Sequence, residues 1–224
     1  MSRSIRFAAA ALGLAIAVTA LVAIDTGGAK ARGSTASPGA MRERAAFHDA
    51  MRKLWEDHIT WTRMFIVSAA TEPANLPDLG PTADRLLQNQ ADIGNAIKPF
   101  YGVEAGNRLT ALLREHILTA ADLIAAAKAG DSAKVAAVAA SWYANADEIA
   151  TFLSSANPRN WSLADMKAMM KSHLDLTLKE AVARLQGRYA DDIAAYEEVH
   201  AEILGMADML SEGIIRQFPS RFGL

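Results

Sequence analysis

The chain contains no cysteine. Disulfide scaffolds, thiolate metal sites and cysteine nucleophiles are therefore excluded, and either redox compartment remains compatible. Glycine and proline are sparse outside a few stretches, at 14 and 7 of 224 residues. No segment shows the period-two alternation of a half-buried strand. The chain has no phosphate-binding P-loop, no glycine-rich dinucleotide turn, no G-x-S-x-G and no His-Glu-x-x-His. No Ser/His/Asp order stands above chance. Positive charge is not concentrated either. Net charge is −2; residues 1–31 hold Arg3, Arg6 and Lys30 against Asp25, so the remainder carries −4. A mildly acidic body argues against a nucleic-acid partner.

What is present favours helix. Apolar residues make up 51% of the chain and alanine is abundant. The length suits one well-buried domain. Arg3 and Arg6 precede an uncharged run from Phe7 to Ile24, and Ala29-Lys30-Ala31 supplies an A-x-A site. Residues 1–31 read as a signal peptide, or as an N-terminal membrane anchor if uncleaved, because the run is 18 residues long. Either reading places the rest in the periplasm or on the outer face of the inner membrane, with membrane contact only through that segment. Residues 32–40 read as a flexible linker and 41–224 as a single helical domain.

Helical spacing predicts six segments: Met41 to about Ala70, Thr82 to Ile97, Asn107 to Ala129, Asp131 to Asn157, Ser162 to Gln186, and Asp191 to Gln217. The expectation is an all-α bundle. The tail from Gln217 to Phe222 is expected to dock on the bundle or to bind a partner. Asn89-Gln90-Ala91-Asp92-Ile93-Gly94 matches Asn145-Ala146-Asp147-Glu148-Ile149-Ala150, and a histidine follows 27 or 28 positions later, His116 or His173. This predicts a duplicated bundle of two pseudo-symmetric three-helix halves, the first helix of one corresponding to the last helix of the other.

His173 has Met169 and Met170 behind it, and His116 has Leu112 and Leu113. Positions three and four apart share a helix face, so both rings are expected in the core. His58 and His200 extend the pattern. Imidazoles and carboxylates from facing helices build metal sites in bundles. His58, His116, His173 and His200 are thus candidate ligands for copper, zinc or iron, with Asp92 and Glu148 as further ligands. Asn89, Asn145 and Glu197 would orient them. Met51, Met64, Met169, Met170, Met206 and Met209 lie near these segments, as thioether ligands or as core filler. Arg63, Arg85 and Arg114 could bind an anion or form salt bridges. Two readings stand beside the metal site. One is a non-catalytic interaction or scaffold domain with a buried His/Asn/acid network. The other is a bundle enzyme with Asp92 or Glu148 as general base.

The segments Leu54-Trp55-Glu56-Asp57-His58-Ile59-Thr60-Trp61-Thr62-Arg63, Arg85-Leu86-Leu87-Gln88-Asn89, Pro99-Phe100-Tyr101-Gly102 and Met206-Ala207-Asp208-Met209-Leu210 resemble those of a family of small bacterial helical proteins. The resemblance covers most of residues 50–222 and implies a compact helical domain. Transferase or kinase names carried by some members imply a nucleotide loop, which this chain lacks.

Overall fold

The computed structural model describes residues 37–223. The expected leader or anchor at 1–31 and residues 32–36 of the expected linker lie outside the described residues. The last part of that linker is helical instead. The Ser37 hydroxyl accepts from the Ala40 N–H at 3.1 Å, and Pro38 fills the first turn. A serine cap followed by a proline, which has no N–H to strand, is a helix start. From there α1 runs Pro38–Ala70.

Four more helices follow: α2 Leu79–Lys128, α3 Ser132–Ala156, α4 Leu163–Leu185 and α5 Tyr189–Gln217, with a 3₁₀ turn at Pro219–Phe222. No strand occurs among the described residues, so the protein is all-α. Five helical elements replace the six expected, because the expected second and third helices are arms of α2. That helix contains Pro99 and one non-helical residue, Gly102, at φ 88° and ψ 168°. Glycine adopts this backbone without a steric cost. The chain folds back there. Arg114 Nη1 donates to the Leu87 carbonyl at 3.1 Å, which joins the two arms. A Cβ on Gly94 would come 1.9 Å from Thr110 Oγ1 and 2.6 Å from the Gly106 carbonyl oxygen. Contact this close between the arms requires glycine at 94. Asn107, the expected start of the third helix, lies inside the second arm.

Side-chain caps open α3 and α4 as the sequence implies. Asp131 accepts from the Lys134 N–H, and Ser162 accepts from the Asp165 N–H while donating to its carboxylate. The helices neighbour one another in chain order, with α5 closing back on α1. Their shared core includes Met51, Ile59, Ile93, Leu112, Ile149, Met166, Leu174, Ile203 and Ile214. Met170 and Met206 are buried in it, Met169 and Met209 pack against it, and Met64 is exposed. The tail docks: Phe222 is buried and joins Phe47 and Phe100 at ring separations of 5.2 and 5.7 Å. None of the described helices is long and apolar enough to cross a membrane.

Two alanine substitutions should move stability in opposite directions. Gly94→Ala forces the arms of α2 apart and should cost about 1–3 kcal/mol, as overpacking does. Gly205 lies inside α5 with open space around its Cβ position. Gly205→Ala should stabilise by roughly 0.5–1 kcal/mol. Thermal melts of the two variants check this; a neutral Gly94→Ala would refute the close approach.

Candidate functional site

Three of the four singled-out histidines meet inside the bundle. His58 on α1, His116 on the second arm of α2 and His173 on α4 are each 4–5% exposed. Their rings are neighbours, with centroids 5.8 Å apart for His58–His173 and 6.4 Å for His116–His173. Trp142 stacks on His116 at 5.3 Å, and Trp55 meets His58 edge-on at 5.8 Å.

Each ring is held at Nδ1 by a side chain from the next helix. His116 Nδ1 donates to Asn145 Oδ1 at 2.9 Å, since the Asn145 amide N–H is donated to the Leu112 carbonyl at 3.2 Å. His173 Nδ1 donates to Glu202 Oε2 at 3.0 Å. The Asn145 contact puts the His116 proton on Nδ1 and leaves a lone pair on Nε2, since burial keeps that ring neutral. The Glu202 contact puts a proton on His173 Nδ1. His58 is different. Gln90 Nε2 lies 3.2 Å from its Nδ1, and also 2.9 Å from the Leu86 carbonyl and 3.1 Å from Asn89 Oδ1. Two hydrogens thus face three acceptors, while Gln90 Oε1 is buried without a partner among the described residues. As an acceptor at Nδ1, the neutral His58 ring carries its proton on Nε2.

The asparagines recur in equivalent roles. Asn89 donates to the Leu54 carbonyl at 3.0 Å, four residues before His58. Asn145 does the same to Leu112, four residues before His116. Each asparagine therefore serves the histidine helix that precedes it.

The remaining sequence candidates are not brought to the three rings. His200 stacks on Tyr196 at 6.0 Å and pairs with Glu56 at 3.1 Å at the α1–α5 edge. Asp92 faces outward beside Gln88 and Arg85, at 3.0 and 3.6 Å. Glu148 is 61% exposed and pairs with Arg108. Glu197 is exposed. The sequence reading missed Gln90 and Glu202, the side chains that hold two of the rings.

Three rings sharing one ion through nitrogens at about 2.0–2.1 Å would have centroids roughly 5–6 Å apart. His58–His173 meets this and His116–His173 is slightly wide. In keeping with that, no group of three His, Asp or Glu among the described residues is arranged to hold an ion as it stands.

A second buried polar cluster also escaped the sequence reading. Arg63 on α1 forms a bidentate pair with Asp192 on α5 and reaches Glu180 on α4 at 2.9 Å. Asp192 and Glu180 are buried, and Arg184 adds a longer contact to Asp192 at 3.5 Å. Arg63 also lies over the Tyr196 ring at 5.5 Å. This arginine is neither a surface ion pair nor free to hold a ligand. Arg85 lies over Trp61, and Arg114 is committed to the Leu87 carbonyl.

Burial sets the protonation of both clusters. It pushes His58 well below the ordinary 6.5, with the nearby His173 and His116 rings acting the same way. It pushes His116 down to about 3, aided by His173. Glu180 moves from 4.5 up to about 7 because burial outweighs the pull of Arg63.

No family model, no characterised protein and no solved structure matches the chain.

Stability should therefore fall on both sides of a maximum. Unfolded histidines take up protons near 6.5 while the folded rings resist, so their contribution is complete above 6.5 and lost as pH falls toward 3. Folded Glu180 keeps its proton up to about 7, so its contribution is complete below 4.5 and lost as pH rises through 7. Between these limits two imidazoles oppose one carboxyl, which puts the maximum near pH 6.5. Urea midpoints across pH should show it. Glu180→Gln should flatten the alkaline decline, and His116→Gln should weaken the acid one. Unchanged curves for both variants would refute this account. Separately, Arg63→Met should cost about 3–5 kcal/mol by leaving the buried Asp192 carboxylate without its bidentate partner. Arg63→Met combined with Asp192→Leu should recover much of that loss in the same assay.

Proposed function

We propose that the protein holds a transition-metal ion, zinc, copper or iron, inside its helical bundle without catalysing a reaction. His116 and His173 are the first ligands, through Nε2, and His58 is the third. The observation that carries this reading is the anchoring of both rings. Each donates Nδ1–H to a side chain of the next helix, Asn145 or Glu202, and so turns Nε2 to the other side. An outer hydrogen bond of this kind fixes tautomer and orientation in metal-binding histidines. The depressed basicity of His58 and His116 keeps those two rings neutral, as ligands must be.

His58 joins by a change of tautomer. Its Nδ1 would then donate and its Nε2 face the ion, which requires the Gln90 amide to leave its present place, where it donates to the Leu86 carbonyl and Asn89 Oδ1. Asn145, Glu202 and Gln90 are the orienting residues. Asp92, Glu148, His200 and Glu197 take no part. The reading of Asp92 or Glu148 as a general base finds no support in their outward positions. Export to the cell envelope is supported by Arg3, Arg6 and the apolar run at 7–24. Internal duplication is supported by the shared asparagine-to-carbonyl contact, with the repeat running by helix pairs.

A second reading has its own observation. Gln90 donates toward His58 Nδ1, and the three rings are not arranged around one point. Both suit a metal-free interaction or scaffold module whose imidazoles fix helix register.

Metal analysis of untagged protein decides between the two. The metal reading expects one ion per chain. A hundredfold excess of ion over Kd should stabilise by about 2.7 kcal/mol. His173→Ala should abolish binding, and Glu202→Gln should weaken it by about 10–100-fold. No uptake of Zn(II), Cu(I) or Fe(II), with unchanged melting, leaves the scaffold reading.

A further inference from the structure

The second arm of α2, the start of α3 and the end of α4 surround a partly open void of about 80 Å³. Leu123, Ile124, Trp142 and Ala181 form its buried walls, and half-buried Val135 and Val182 stand nearer the surface. None of the three clustered histidines lines it, so it is separate from the site described above. Every atom its walls expose is carbon. Trp142 lines it too, while its Nε1 is buried and has no hydrogen-bond partner among the described residues.

The geometry points to a binding site for a small neutral hydrocarbon group, a single aromatic ring or a short alkyl segment. Water is a poor occupant, since it needs two to four polar partners and the wall offers none. Apolar cavities of this kind stay dry and take up apolar molecules of matching size. An apolar cavity of about 150 Å³ takes benzene, so a single ring is the largest group this void can take. That is far below a drug-sized ligand. The half-buried apolar residues give such a group a way in from solvent that crosses no charged side chain of the lining. Polar analogues are excluded by chemistry rather than size, because a hydroxyl placed there is left unpaired.

Benzene and phenol titrated into the full chain, in chelator so that metal plays no part, test this. Benzene should give a saturable change in the Trp142 indole signal, identified by its loss in Trp142→Phe, and should raise the melting temperature. Phenol should bind about tenfold or more weakly, from the unpaired hydroxyl. Ala181→Leu fills the void and should remove the benzene effect while the protein still melts cooperatively; Ala120→Val serves if that variant does not fold. Absence of a saturable benzene response, or a response that survives the filled void, overturns the site. Phenol binding as tightly as benzene overturns the all-carbon wall, since it would mean that Trp142 Nε1 turns inward as a donor.

Discussion

Buried polar groups must find partners inside the protein, and this bundle meets that demand from one helix to the next. Asn89 and Asn145 each spend an amide N–H on a carbonyl of a neighbouring helix. A helical carbonyl has two lone pairs, so it can accept this bond in addition to its own backbone bond. The same residues, or the one beside them, then reach the imidazole one turn further on. Helix register is fixed by these contacts more sharply than by apolar packing, which tolerates sliding. Losing any one of them leaves a buried group unpaired, at about 1–3 kcal/mol.

A second polar layer repeats the arrangement with charge. On α4, His173, Thr177, Glu180 and Arg184 follow at intervals of four, three and four, so one face of the helix carries both layers. Thr177 returns its hydroxyl to the His173 carbonyl and needs nothing from outside. Glu180 shares Arg63 with Asp192, and one guanidinium serves two buried carboxyls. Desolvation dominates in that setting, which is why Glu180 holds its proton more tightly despite its partner.

Much of this was legible in the sequence, and the failures share a geometric cause. His116 and His173 were recognisable because their neighbours three and four residues away are apolar. The acid of the Asn-x-x-acid pattern was misread. On α2 the buried set Leu86, Asn89, Gln90, Ile93 and Ile97 spans about 100° of the helix surface, and Asp92 falls roughly 110° from its centre. Glu148 has the same offset from Trp142, Asn145, Ala146, Ile149 and Leu153 on α3. The informative position was the residue after the asparagine: Gln90 in one copy, Ala146 in the other. Glu202 was harder to find, since it lies at the rim of the α5 face and only the position of His173 gives it a role. The expected second helix stops at Ile97, and nothing local says that the chain turns back on itself at Gly102. That follows from Gly94 and Gly106 touching across the turn.

The two ends of the bundle differ in how they are filled, and composition explains the difference. Phe47, Phe100, Phe218 and Phe222 close one end with ring contacts of 5.1 to 5.7 Å, and the 3₁₀ turn is held against α1 there. Large rings fill irregular space well and leave little void. The other end is built where Val135 and Trp142 of α3 meet Ala120 and Ala127 of α2 and Ala181 of α4. Alanine favours helix strongly but contributes only a methyl group to packing. Helices rich in it form readily and still leave space where three of them meet with few long side chains between. The void therefore follows from a sequence that secures its helices by propensity at one end and by aromatic packing at the other. Trp142 stands between that void and the imidazole layer, with His116 stacked on its ring. Whatever shifts this indole is felt at His116 directly, because no other side chain separates the two rings.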